Sequence, residues 1–303
     1  MDPVLRVEHI TKNFGSVRAV DDLSFEVAGG EIFALLGPNG AGKTTTIRLA
    51  LDIFRPDSGR IAILGGSMTE AKKDRIGYMP EERGLYQDIP LERVLVYLAS
   101  LKNVPTAEAH RRAAALLERF DLAPYANKKV RELSKGMQQK AQIIATILHQ
   151  PELIIIDEPF SGLDPVNTRM IKSLLIELRR DGATLIMSTH QMHQVEELCD
   201  RILLVDHGRS LLYGSLEEVR RPYTGHAVLV RAVGELPQLP GVESIDTHNS
   251  AVRLNLAAQV TPQDILHELI SRDIRLEAFE VATPSLDEIF IHAVQGGQPG
   301  GDE

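Results

Sequence analysis

The sequence predicts an α/β chain, with a larger domain built on a parallel sheet and a small α+β domain after it. Three observations carry this. Short, mostly apolar runs recur at Ile32–Leu36, Leu153–Ile156, Thr184–Ser188 and Ile202–Val205, the pattern of strands buried on both faces. Between two of these runs, residues 167–180 place Met170, Ile171, Leu174, Leu175 and Leu178 on one helical face, so strand and helix alternate. Near residue 222 the pattern changes to short alternating strands.

Taken in order, residues 4–36 read as strands that open the larger domain as an antiparallel set. Val4, Arg6, Glu8 and Ile10 fall on one face of a first strand. Leu23, Phe25 and Val27 then alternate with Asp22, Ser24 and Glu26, the period of a half-buried strand. Ala28-Gly29-Gly30 is a turn. The strand Ile32–Leu36 leads into a Gly-rich loop and a helix from Lys43 to about Leu51. Residues 85–150 are expected to be mostly helical, with Leu91, Leu95, Leu98, Ala99 and Lys102 in one pattern and 106–120 rich in Ala, Leu, Glu and Arg. The stretch Arg220–Gly225 reads as a linker, giving domains over 1–221 and 222–295. In the second, strands are expected at 227–233, 242–247, 252–256 and 274–281, with helices starting at Thr261-Pro262 and at Leu286. The Gly-rich tail 296–303 is expected to be disordered.

Composition bounds the function. In 303 residues, 33 Lys+Arg stand against 42 Asp+Glu, a net charge of −9. That balance argues against a protein that coats nucleic acid. Hydrophobic residues at 43% supply a core, which excludes wholesale disorder. No apolar run exceeds six residues, far short of the roughly 20 a membrane-spanning helix needs. Asp2, Arg6 and Glu8 near the start do not read as a secretory leader. The one cysteine, Cys199, permits no intrachain disulfide and reads as a packing residue.

Residues 37–45 read Gly37-Pro38-Asn39-Gly40-Ala41-Gly42-Lys43-Thr44-Thr45. They satisfy the G-x-x-x-x-G-K-[ST] pattern, between a buried strand and a helix as the pattern requires. The glycines let backbone N–H groups curl round phosphate oxygens, and the helix aims its positive end at the same anion. Lys43 supplies charge for the β- and γ-phosphates, and the Thr44 hydroxyl is a Mg²⁺ ligand. Downstream, Leu153–Ile156 ends in Asp157-Glu158, two carboxylates at the end of a buried strand, where such sheets bind ligands. Asp157 is expected to hold Mg²⁺, and Glu158 to polarise an attacking water.

Just upstream of that strand stands Leu133-Ser134-Lys135-Gly136-Met137-Gln138-Gln139. It resembles the signature of the ATP-binding cassette (ABC) ATPases. Ser161-Gly162-Leu163-Asp164 is similar to their D-loop, His190 to their switch histidine, and Phe14 to the aromatic residue that stacks on adenine. These features occur in family order over about residues 4–221. Ile76–Tyr86, Ser134–Lys140 and Pro284–Phe290 further resemble bacterial exporter ATPases with a small extra C-terminal domain, sodium-export ATPases among them.

The resemblance implies a phosphate-loop NTPase cassette with a helical subdomain over about 85–150. It implies ATP and Mg²⁺ as cofactors and an ATPase working as a dimer, a homodimer in preference to a heterodimer. Ser134, Gly136 and Gln138 would then act on nucleotide held by the opposite subunit. It also implies an integral membrane permease as partner, hence a cytoplasmic protein on the inner face of the membrane. Ser134 reads as a helix N-cap, with Met137, Ala141, Ile144, Ala145 and Leu148 on the buried face.

One departure stands out. Most of the family has Gln where Glu81 stands. Two readings remain open: Glu81 contributes to the Mg²⁺ site, or it pairs with Arg83 away from the metal. His190 and His193 are three apart, but no third metal ligand is evident; His149 reads as a surface or helix-end residue. A soluble ABC ATPase of translation or DNA repair is the alternative. It is opposed by the single phosphate loop and the lack of a long coiled-coil insertion. The C-terminal domain reads equally as a regulatory, dimerising or docking unit, or as a structural cap.

Overall fold

A computed structural model describes residues 3–82, 84–225, 227–234, 236–248, 251–257 and 259–294. The chain divides into two units, one up to Tyr213 and one from Gly214 onward.

The first unit begins with β1 (Leu5–Phe14), β2 (Val17–Val27), β3 (Ile32–Leu36), α1 (Lys43–Ala50), β4 (Ser58–Ile63), the short α2 (Glu70–Lys73) and β5 (Ile76–Met79). Strands β2, β1 and β4 form an antiparallel sheet in that order. Leu5 and Val7 are buried while Arg6 and Glu8 face out. Strict alternation would put Ile10 beside Arg6 and Glu8. Instead His9 has φ 50° and the register shifts between Val7 and Ile10, which turns Ile10 into the core.

The expected helical region follows as α3 (Leu91–Ser100), α4 (Thr106–Arg119) and α5 (Lys135–Ile147). Helices α3 and α4 are amphipathic, burying Leu91, Val94 and Leu95, and Ala109, Ala113 and Leu117. Helix α5 differs from its expected one-sided stripe. Ala141, Ile144 and Leu148 are buried, but so are Gln139, Gln142, Ile143, Thr146 and Ile147, because neighbours cover it on more than one side. Met137 and Ala145 are only half-buried.

The unit closes with β6 (Leu153–Asp157), α6 (Pro165–Arg180), β7 (Thr184–Thr189), α7 (Met192–Glu196), β8 (Arg201–Asp206) and β9 (Arg209–Ser215). A six-stranded sheet has the order β5-β6-β7-β3-β8-β9. The pairs β5/β6, β6/β7, β7/β3 and β3/β8 are parallel. Every residue of β3, β6 and β7 is buried, as the apolar runs require. Leu5, Val7 and Phe25 of the antiparallel sheet, Ile47 and Leu51 of the α1 segment, and Phe33, Leu35 and Ile155 of the large sheet share one core. Phe25 and Phe33 stack at 5.6 Å and 7°. Burying each such side chain contributes roughly 1.5–3 kcal/mol. The parallel arrangement puts the C-terminal ends of β3, β6 and β7 side by side, where ligands bind in open α/β sheets.

The second unit holds α8 (Leu216–Arg220), β10 (Ala227–Ala232), β11 (Val242–His248), β12 (Ala251–Leu256), α9 (Pro262–Ser271), β13 (Leu276–Val281) and α10 (Leu286–Val294). Its antiparallel sheet runs β11-β12-β10-β13 over a core of Val228, Val230, Leu254, Leu256, Ile265 and Leu269. Thr261 caps α9 in a capping box with Asp264. The units part at Gly214, earlier than the expected 221/222. Arg220–Gly225 is not an extended linker: α8 carries its own capping box, Ser215 with Glu218, and runs into a 3₁₀ turn at Arg221–Tyr223. The tail 296–303 lies outside the described residues.

Candidate functional site

The phosphate-loop sequence sits between β3 and α1. Gly42 is the helix N-cap, with φ 105°. A Cβ there would stand 2.3 Å from Ala19 O, so both its backbone angle and the close approach of β2 demand glycine. The turn His207-Gly208 between β8 and β9 completes the surround. Gly208 N donates to Ala41 O at 2.9 Å, and Asp21 N donates to Gly208 O at 2.9 Å. Lys43 is buried, and its Nζ donates to Gly37 O at 2.8 Å and Pro38 O at 3.0 Å. Burial pushes its pKa down, against the pull of Glu158, Asp157 and Glu81.

Asp157, at the end of β6, is buried, and its Oδ2 accepts from Thr44 Oγ1 at 2.8 Å. Its Oδ1 accepts from Ser188 Oγ, because β6/β7 pairing sets Asp157 against Ser188. Glu158 has φ 52° and is 5% exposed. Its Oε2 accepts from Thr189 Oγ1 at 3.1 Å. Its Oε1 accepts from His190 N at 3.1 Å and lies 2.7 Å from His190 Nδ1. Gln139 on α5 donates to the backbone carbonyls of Glu158 and Pro159 at 3.4 and 3.3 Å. Lys43, Thr44, Asp157, Glu158 and His190 thus converge at the ends of three adjacent strands, with Glu81 within electrostatic reach of Lys43.

A second cluster joins the signature and D-loop segments. Ser134 is the exposed N-cap of α5, its Oγ accepting from Met137 N at 3.3 Å. A Cβ on Gly136 would lie 3.7 Å from Gly162 O and 4.0 Å from Leu163 Cδ2. Asp164 caps α6 through Asn167 N at 2.9 Å, and that backbone donor holds its carboxyl below the usual range. Ser161 stands at the same exposed bend. Gln138 turns inward, its Nε2 donating to Val130 O at 3.2 Å and Leu133 O at 3.1 Å. Phe14 stands at the end of β1, 44% exposed, edge-on to Phe54 at 5.4 Å.

Sequence reasoning missed Ser188 and Thr189, and placed Gln139 in the signature without its contact to the Glu158 loop. The switch from apolar to hydroxyl residues just before His190 was the available signal for the first two. Among the described residues no His, Cys, Asp and Glu cluster of three or more is placed to hold a metal. His190 engages Glu158, and His193 engages Gln194, so the two histidines do not converge.

The model of the ABC transporter family matches residues 20–161, and that of the ATP-binding protein DrrA1-3-like C-terminal domain matches 214–294. An uncharacterised ABC transporter ATP-binding protein, YhaQ of Bacillus subtilis (strain 168), is 40% identical over 96% of this chain and 98% of its own. The daunorubicin resistance ATP-binding protein DrrA3 of Streptomyces coeruleorubidus is 33% identical over 96% of each chain. A solved structure of the ATP-binding subunit of an ABC transporter superposes with a TM-score of 0.69 at 34% identity. It covers 73% of this chain and 93% of its own. With the phosphate loop, signature and strand-end carboxylates in one cassette, the chain belongs to the ATP-binding proteins of ABC transporters.

Proposed function

We propose that the chain is the ATP-hydrolysing subunit of an exporter and drives transport through a separate membrane permease. The observation that carries hydrolysis is the Glu158 carboxylate, buried with both oxygens engaged, by Thr189 on one side and His190 on the other. A carboxylate held in this way is oriented to accept a proton from an attacking water. The loop Gly37–Thr45 cradles the phosphates, Lys43 and His190 stabilise charge on the γ-phosphate, and Phe14 stacks on adenine. Ser134 and Gly136 address the nucleotide of a second cassette, and Gln138 supports that helix end from within. The D-loop, Ser161–Asp164, lies against them at the same face.

The Thr44 hydroxyl and Asp157 carboxylate, in contact at 2.8 Å, are hard oxygen donors of the kind Mg²⁺ takes. They would hold the ion, with Glu81 as a further ligand. When bound with ATP it supplies charge neutralisation at the β- and γ-phosphate oxygens. Export is supported by the resistance relative. A seat on the inner face of the membrane follows from dependence on a permease; no helix among the described residues is long and apolar enough to cross a bilayer.

Glu158→Gln tests the reading. It should bind ATP normally and lose roughly 10²–10⁴-fold in turnover. Near-normal turnover would remove Glu158 from the chemistry. Copurification of the full chain with an integral membrane protein tests the transport role.

A further inference from the structure

We infer that Gln142 is a positioning residue for Glu81, clamping the loop that carries it to the signature helix. The inference rests on the proposed ATPase reading. Gln142 lies in the middle of α5 and is 4% exposed. Its Nε2 donates to Pro80 O at 2.9 Å and to Glu82 O at 3.2 Å. Both N–H groups of one side-chain amide are therefore spent on the carbonyls immediately before and after Glu81. A buried amide used for two backbone acceptors ties a loop to the helix, because losing it removes the one side chain that joins both carbonyls.

Two further contacts make this a device of the helix. Gln139, three residues earlier and so on the same face, holds the carbonyls of Glu158 and Pro159 in the same two-pronged way. One turn beyond, Thr146 Oγ1 donates to Gln142 O at 2.9 Å. There the helix backbone presses on β5: a Cβ on Gly77 would stand 2.4 Å from Thr146 O. The strand leading to Glu81 and the loop carrying it are thus both seated on α5. The exposed start of this helix is Ser134. A ligand drawing on Ser134 is therefore linked through one rigid element to the backbone at Glu81 and at Glu158. Gln142 touches no reacting atom; it sets where Glu81 stands.

The experiment uses the full-length chain. Amide hydrogen exchange is followed in the peptide covering residues 79–86, and ATP affinity and turnover are measured with Mg²⁺ titrated. The variants are Gln142→Met, which keeps shape and removes both donors, Glu81→Ala, and the double variant. Gln142→Met should raise exchange in residues 79–86 at least fivefold. It should lower kcat about tenfold, shift the Mg²⁺ midpoint upward and leave ATP affinity within twofold. In the Glu81→Ala background its effect on kcat should vanish. Unchanged exchange, or an equal kcat loss in both backgrounds, would overturn the inference and reduce Gln142 to a packing residue. If the wild-type chain neither binds nor hydrolyses ATP, the ATPase reading fails instead, and the exchange measurement still decides the clamp.

Discussion

A single carboxylate oxygen of Glu158 holds both the backbone and the ring of His190: Oε1 lies 3.1 Å from His190 N and 2.7 Å from its Nδ1. A carboxylate only accepts, so Nδ1 carries the proton in this contact and Nε2 is turned away from it. His190→Ala removes the ring but keeps the backbone bond. Turnover should fall about 10²-fold or more, with a small change in ATP affinity. The ring is half exposed, so stability should move by no more than about 0.5 kcal/mol. Steady-state kinetics beside a thermal melt make the comparison. A turnover loss that tracks a lowered Tm would refute a role in the chemistry.

Glycines of one loop should respond very differently to alanine. Gly42→Ala combines φ 105° with a 2.3 Å collision against the Ala19 carbonyl. It should cost several kcal/mol, by strain plus overpacking, and abolish ATP binding. Gly40→Ala has φ 82° but nothing within 4 Å of the new Cβ, so only the left-handed strain of about 1–2 kcal/mol applies. Equal losses in denaturant melts of the two would show that the close approach of β2 is unimportant.

His149 gives the fold an acid sensitivity. Expected at a surface or helix end, it stands just past α5 but is partly buried, with Nε2 3.2 Å from Ile76 O. Burial, reinforced by the charge of Lys102, pushes its pKa from 6.5 down to about 4. The unfolded chain takes up a proton that the folded chain refuses. The stabilisation is therefore complete above pH 6.5 and is lost as pH falls toward 4. At about 1.4 kcal/mol per pKa unit it amounts to roughly 3 kcal/mol at most. His149→Gln keeps a donor for Ile76 O and should flatten the decline in Tm between about pH 7 and pH 5. An unchanged slope would assign that decline to other groups.

Legibility in the sequence followed the range of the determining contacts. Gly37–Thr45 were readable because the chemistry needs contiguous residues. The placement of Asp157 and Glu158 can be read because an apolar strand ends on them. Ser188 was not, since only β6/β7 register places its hydroxyl on Asp157. Strict alternation puts Ile10 beside Arg6 and Glu8, and no pattern reveals that one residue, His9, breaks the period. Strands β4 and β5 are short and contain Gly59 and Gly77, so neither carries a strong pattern of its own. Gln138 was legible as part of the signature, but its inward turn depends on carbonyls that no spacing rule locates.

The bond from Gly208 to Ala41 has a consequence for synthesis. The phosphate loop leaves the ribosome early, yet its surround includes a turn encoded near the end of the cassette. Contacts so distant in sequence close late. The nascent chain therefore carries the loop without the turn that completes it until the β8–β9 hairpin has emerged. A chain truncated before residue 208 would keep the whole nucleotide motif and lose the lock that holds its shape.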